Sequence, residues 1–470
     1  MTDTPPPRSG LRAGALDLGL VAVIGVASAA PGYSLAAALG LITAASGVKM
    51  PAMLLLAFVP MACIAIAFDQ FNRIDPDCGT CFSWVTRTCG PSWGWMTGWA
   101  VIAADIVVMT SLAQISAQYS LGLVGTTPIA HPHIALALGV VWIAAMTWVC
   151  YRGITFSARL QTFLLLFEIG VLLALAGVML HAVYAEARPQ GLPASRTMFW
   201  PGGLPLHAWM DAMGVAIFIY WGWDTAVNVN AESSQPRRTP GRAAILSTLA
   251  LVAVFVLLGT AALCWAGPHF LVTHQDDVLA ALGLEAFGAP WNKLLHVVVL
   301  TSAIAATQTT ILPTARTVLS MAEKGALPQH FQSIHPVHRI PTRATLWMGV
   351  ASALWYLLLS QTTTAIVAES LQALNLLVAF YYGLSGLACA WHFHRQFRGV
   401  RGFLLQVAAP FAGGVALLWV MVYLMVWPSA ESAQPNPWPL LMATGMMAIG
   451  FVLMLWQRWR GTRAGTFWTT

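Results

Sequence analysis

Residues 24–40 read IGVASAAPGYSLAAALG. Pro31 removes a backbone N–H and clashes with the turn before it, and Gly32 loosens the chain beside it. The segment lies near the middle of an apolar run over residues 16–45, longer than the roughly 20 residues that cross a bilayer. A membrane helix broken near its centre is therefore expected. Residues 221–224, Trp221-Gly222-Trp223-Asp224, form a comparable interruption within the run 207–230. There a glycine stands beside a carboxylate, although a charge at mid-membrane costs about 2.5–3.5 kcal/mol on insertion scales. Free backbone groups at that depth are tolerated only where they face protein or a wet cavity. Paired breaks in equivalent helices of two halves point to a binding site at the bilayer midplane.

The rest of the chain agrees with a membrane setting. Of 470 residues, 58% are hydrophobic and 9% charged, against about 25% charged in soluble domains. That excludes an ordinary cytosolic enzyme and a disordered or nucleic-acid-binding tail. Twelve apolar stretches are predicted to span, over 16–45, 51–71, 92–122, 133–151, 157–184, 207–230, 243–266, 290–321, 342–359, 364–392, 404–427 and 437–456. Residues 1–14 are polar and are read as a cytoplasmic tail, not a signal peptide. With that end inside, 19 of the 23 Lys and Arg fall in cytoplasmic segments, Arg316 and Lys324 among them; Lys49, Arg188, Arg196 and Lys293 fall outside. This segregation predicts a cell-membrane protein with both termini cytoplasmic. It also accounts for the formal charge of +6 without a nucleic-acid partner. Seven cysteines, Cys63, Cys78, Cys81, Cys89, Cys150, Cys264 and Cys389, form an odd set with none placed outside, so no disulfide framework is expected.

Because five spans reverse the direction of entry, spans 1–5 and 6–10 are expected to be inverted repeats. Three passages then resemble the amino acid–polyamine–organocation superfamily of permeases over roughly residues 14–395. They are the span 1 segment, YWGWDTAVNVNAESSQPRRTP at 220–240, and ARTVLSMAEKGALPQHFQSIHPVHRIPTRA at 315–344, which carries Arg-x4-Met-Ala-x2-Gly-x-Leu-Pro. The first departs from the usual Gly-Ser-Gly type loop, having Ser28-Ala29-Ala30 before Pro31-Gly32. The resemblance implies an all-α integral membrane fold with a ten-helix core (15–395), helices 1 and 6 broken, and two peripheral helices (396–470). It also implies secondary transport of amino acids or amines without a cofactor.

In the expected orientation the outer half of span 1 starts at its break. Its positive dipole end and the N–H groups of Ala29, Ala30, Gly32 and Tyr33, next to Ser28, would favour a substrate carboxylate. The outer half of span 6 ends near Trp221, where carbonyls would accept an ammonium beside Asp224. Trp221 and Trp223, flanking Gly222, either close over the substrate or hold a cation, or serve as packing aromatics. Glu168, in the middle of span 5, is flanked by Phe, Ile and Leu. An ionised carboxylate there is poorly solvated, and such a group can carry a proton through a transport cycle; the other reading is a structural carboxyl bound to a neighbouring helix. In some members of the superfamily a lysine occupies that place and substitutes for a sodium ion, so the coupling is not carried over intact. Asp105 in span 3 either lines the pathway or bridges helices. Thr301, Ser302 and Gln308 in span 8 are possible partners for a coupling ion or proton carrier, and Glu369 and Asp211 are expected nearer the outer surface.

Other chemistry is poorly supported. Cys78-x-x-Cys81 lacks a clean second ligand pair for zinc, no GxxxxGK[ST] stretch occurs, and no nucleophile–base pairing is evident. Residues 268–288 are expected to form an outer loop with a helical lid. The reading is a proton-coupled importer of an amino acid or related amine, with a polyamine permease or substrate exchanger as the alternative. No metal is expected, and the oligomeric state stays open.

Overall fold

A computed structural model describes residues 10–185, 191–275, 277–363, 365–427, 437–461 and 467–468. Arg8, Arg188 and Arg463 lie outside them. Helices account for nearly all of the fold, with two isolated bridge pairs, Leu16 with Ser233 and Ile334 with Pro341, and no strand among the described residues. In chain order the first half comprises α1 (Leu18–Ala29), α2 (Pro31–Ser46), α3 (Met50–Ile74), α4 (Cys81–Cys89), α5 (Pro91–Leu123), α6 (Pro132–Tyr151) and α7 (Ile154–Tyr184). The second comprises α8 (Leu206–Ile219), α9 (Thr225–Asn228), α10 (Thr239–Thr273), α11 (Val278–Phe287), α12 (Lys293–Glu323), α13 (Thr342–Leu359) and α14 (Ile366–Phe393). After these come α15 (Gly399–Phe403), a π-helical turn at Leu404–Ala408, α16 (Ala409–Val426) and α17 (Trp438–Gly461).

Helix occupies each of the twelve predicted stretches, but they are not all spans of full length. Among the described residues, nine stretches are long and apolar enough to cross a membrane, and one of them, Leu18–Ile74, takes in α1 to α3. The predicted sixth span falls short because α8 ends after 14 residues, where Gly222 and its neighbours leave the helical path. The predicted outer loop begins later than expected: α10 kinks at Gly267 and Pro268 and continues to Thr273 before the short α11.

Burial orders the layers. The most apolar window of α5 is 94% buried, against 28% for the segment ending in α16 and 33% for α17. Helix α5 therefore runs through the centre, packed against α12 and α14, while α16 and α17 present Phe411, Trp419, Phe451 and Val452 outward, as a lipid-facing surface requires. Small residues set a close crossing of α14 and α16. A Cβ on Gly386 would lie 2.6 Å from the Pro410 carbonyl oxygen, and one on Gly414 2.8 Å from that of Gly383. Hydrocarbon offers no hydrophobic drive for helix association, so such backbone approach supplies the contact.

Candidate functional site

One residue separates α1 from α2. Ala30 adopts φ 47° and ψ 70°, a left-handed conformation uncommon outside glycine, and Pro31 opens α2 without an N–H to satisfy. The remaining N–H groups at the break all have acceptors within the chain. Ala30 donates to the Ala27 carbonyl (3.2 Å), Gly32 to Glu168 Oε1 (2.6 Å), Tyr33 to Ser302 Oγ (3.1 Å) and Ser34 to the Ala30 carbonyl (2.8 Å). Ser302 also donates its hydroxyl to Glu168 Oε1 at 2.8 Å. This corrects the expectation that Ala29, Ala30, Gly32 and Tyr33 hold free N–H groups. Ala29 closes α1, and the other three are already bonded. Glu168, 1% exposed on α7, stands where the positive end of α2 would draw an anion.

The second break is longer. Helix α8 stops at Ile219, and the N–H groups of Tyr220 and Trp221 turn back to Ile217 and Phe218. Gly222 takes φ +106°, and a Cβ there would lie 2.7 Å from the Ser28 carbonyl oxygen. Only glycine combines that backbone with that approach. The Ser28 and Thr225 hydroxyls share a hydrogen bond of 2.8 Å, so the two breaks are in direct contact.

A small cavity of about 10 Å³, room for about one water molecule, adjoins the breaks. Ser28, Ala29, Tyr33 and Ser34 line one side, Phe218 and Trp221 another, Val108 and Leu112 come from α5, and Ala306 and Thr310 from α12. Tyr33 meets Phe218 edge-on at 5.8 Å and shares a hydrogen bond with Ser111 at 2.6 Å. Trp221 donates its indole N–H to the Tyr381 hydroxyl, which in turn donates to Asp224 Oδ2 at 3.4 Å. Asp224 thus lies behind the aromatic wall and reaches it through Tyr381.

Trp223 points elsewhere. It is fully buried, stacked on Tyr382 and edge-on to Phe68, because Gly222 turns the chain between the two indoles. Asp105 is buried and accepts from the Thr314 hydroxyl, tying α5 to α12. Of the span 8 candidates, Ser302 joins Glu168 and Gln308 donates to Ser157. Thr301 bonds within its own helix, to the Val297 and Val298 carbonyls.

Three residues escaped the sequence reading. Tyr381 carried no signal beyond being a tyrosine within a span. Arg316, counted among the loop cations, lies inside α12 and is 1% exposed, forming a two-pronged pair with fully buried Glu232 at 2.8 Å on each arm. Both belong to passages quoted above, so a signal existed. The Glu232 carbonyl also accepts the Leu16 N–H at 3.1 Å. At the same end, Asp77 meets Lys324 at 3.1 Å. Burial pushes the Asp77 carboxyl up, but the Lys324 ammonium and hydrogen bonds from Ser320, Ser83 and Gly79 outweigh it and hold the group below the usual carboxylate range. Beyond Tyr33, in the other direction, a wider open vestibule is lined by Gln114, Gln118, Tyr119, Asp277 and His296, with Tyr119 donating to Asp277.

The sequence is similar to those of known transporters. The chain is 22% identical over 401 residues to the low-affinity putrescine importer PlaP of Escherichia coli (80% of this chain, 83% of that one). It is 23% identical over 323 residues to the branched-chain amino acid permease BcaP of Bacillus subtilis (64% and 66%). An uncharacterized transporter of Mycobacterium tuberculosis is 27% identical over 307 residues, and the match spans 64% of either chain. The sequence model described as amino acid permease matches residues 18–451. With broken helices in contact at its centre and that match over nearly its whole length, the chain belongs to the amino acid permease family, within the amino acid–polyamine–organocation superfamily.

Proposed function

We propose that this membrane permease is a secondary active importer of an amino acid or related amine, working by alternating access at the cavity between α1–α2 and α8–α9. The observation that carries the reading is the contact of Gly222 with the Ser28 carbonyl. It joins two helix breaks beside one small cavity, the arrangement expected of midplane transport sites. In this proposal the chain crosses the membrane twelve times with both termini cytoplasmic. Residues 15–395 form a five-plus-five inverted repeat, with helices 11 and 12 (396–470) peripheral. The vestibule at Tyr119 and Asp277 then faces outward, while the Arg316–Glu232 and Asp77–Lys324 pairs close the cytoplasmic end.

Coupling to protons is assigned to Glu168, Asp224 and Asp105. Glu168 touches α2 through Gly32 and α12 through Ser302, so moving these helices apart changes what its carboxyl accepts. Asp224 reaches the cavity wall through Tyr381, and Asp105 ties α5 to α12. The test is uptake into proteoliposomes with and without an imposed pH gradient. Faster uptake with the gradient supports the proposal, and equal uptake removes the proton. A substrate exchanger or polyamine permease is the second reading, favoured by the match to a putrescine importer. Counterflow from preloaded vesicles and competition by putrescine separate them.

A further inference from the structure

We infer that Glu168 stands in for a substrate carboxylate, so that the cavity selects organic amines lacking a carboxylate over the corresponding α-amino acids. This rests on the transport reading above and names its substrate class. A carboxylate entering the chamber needs donors, since a buried charge without partners is strongly disfavoured. The natural donors are the N–H groups at the start of α2, and none is free. Pro31 has none, Gly32 is taken by Glu168, and Tyr33 by Ser302, which itself donates to Glu168. Of the lining hydroxyls, those of Ser34, Ser28 and Tyr33 are committed as well, which leaves Thr310 with a neutral hydroxyl too weak a donor to balance a carboxylate alone. Ser34 donates to the Ala29 carbonyl at 2.6 Å, Ser28 pairs with Thr225, and Tyr33 with Ser111. Among the described residues, no Lys, Arg or His lines the cavity.

The surroundings suit a cation instead. Helices α1 and α8 both end at the breaks, and a helix C-terminus is the negative end of its dipole. Trp221 lines the cavity with Asp224 two hydrogen bonds behind it, and an ammonium placed over an indole face gains a further electrostatic contact. One end of an amino acid is therefore matched and the other is already supplied by the protein.

The test is a competition panel on the full-length chain in proteoliposomes, using matched pairs: isoamylamine with leucine, tyramine with tyrosine, putrescine with ornithine, agmatine with arginine. The wild type is expected to take up at least one amine, inhibited about tenfold or more strongly by that amine than by its amino acid, the factor that one charge-assisted hydrogen bond supplies. In Glu168→Ala, which vacates the Gly32 and Ser302 donors, the ratio is expected to fall by about tenfold. Glu168→Gln keeps the side-chain shape and one acceptor, and is expected to retain part of the preference. The ratio is read in counterflow from preloaded vesicles, which needs no proton gradient, so neither lost coupling nor a lower yield of folded variant moves it. Uptake of an amino acid with its amine no better as a competitor overturns the inference while leaving the transport reading intact. A preference unchanged in Glu168→Ala overturns the role of Glu168. If no member of either class is transported, the transport reading itself fails and this inference falls with it.

Discussion

The α-carbon of Gly222 lies against the backbone of Ser28, so closely that a Cβ would sit 2.7 Å from the Ser28 carbonyl oxygen and 3.0 Å from the Ala29 nitrogen. The two helix breaks are thus one structural unit, held by contact between main chains. Gly222→Ala must strain a φ of +106° and push the breaks apart, at a cost of order 1–3 kcal/mol for the backbone alone. The expected outcome is a lower apparent melting temperature and uptake reduced at least about tenfold. Wild-type uptake in a folded Gly222→Ala protein would show that the contact is dispensable.

Asp224→Asn is expected to reduce uptake to background while leaving expression intact, because it removes the carboxylate behind Trp221 and keeps its shape. Tyr381→Phe, which takes away the hydroxyl joining the two, should fall between Asp224→Asn and the wild type. Uptake per folded protein, normalised by size-exclusion profile, checks both.

The Arg316–Glu232 pair is out of contact with solvent on both sides. Breaking such a pair from one side strands a buried charge, at about 3–5 kcal/mol, whereas replacing both partners is often close to neutral. Arg316→Met or Glu232→Gln alone should therefore lower thermal stability sharply, and the double variant should recover much of the loss. A double variant as unstable as the sum of the singles would assign the effect to packing.

At Asp77, a carboxyl held below its ordinary value stabilises the fold at any pH above that ordinary value, near 3.9. The contribution is lost as pH falls through the native value. Asp77→Asn should therefore melt a few degrees below the wild type at neutral pH, and the difference should shrink as pH drops below about 4. A gap that stays constant across that range would show that hydrogen bonding, not the Lys324 charge, is what Asp77 supplies.

Much of the fold is legible locally. Long apolar runs, Pro31-Gly32 and Trp221-Gly222-Trp223-Asp224 are properties of consecutive residues, and helix follows from them because lipid forces each segment to satisfy its own backbone. The placement of both breaks follows in the same way, as does the membership of Arg316 and Glu232 in recognisable passages. Spacing along one helix also says which residues share a depth, which is why Glu168 and Asp105 stood out as intramembrane carboxylates.

Depth does not say which neighbour a side chain meets. Gly32 and Glu168 are 136 positions apart, Trp221 and Tyr381 160 apart. Whether a free N–H awaits a ligand depends on which distant helix packs across it. From the chain alone, α2 begins with unclaimed donors, and both tryptophans border the second break. Tertiary packing assigned those donors to Glu168 and Ser302, turned Trp223 into the core against Phe68 and Tyr382, and joined Trp221 to Asp224 through Tyr381. Local sequence determined where the helices form and where they stop, because those costs arise within a few residues. Only the packed structure decided which polar group answers which, because that choice is made between helices.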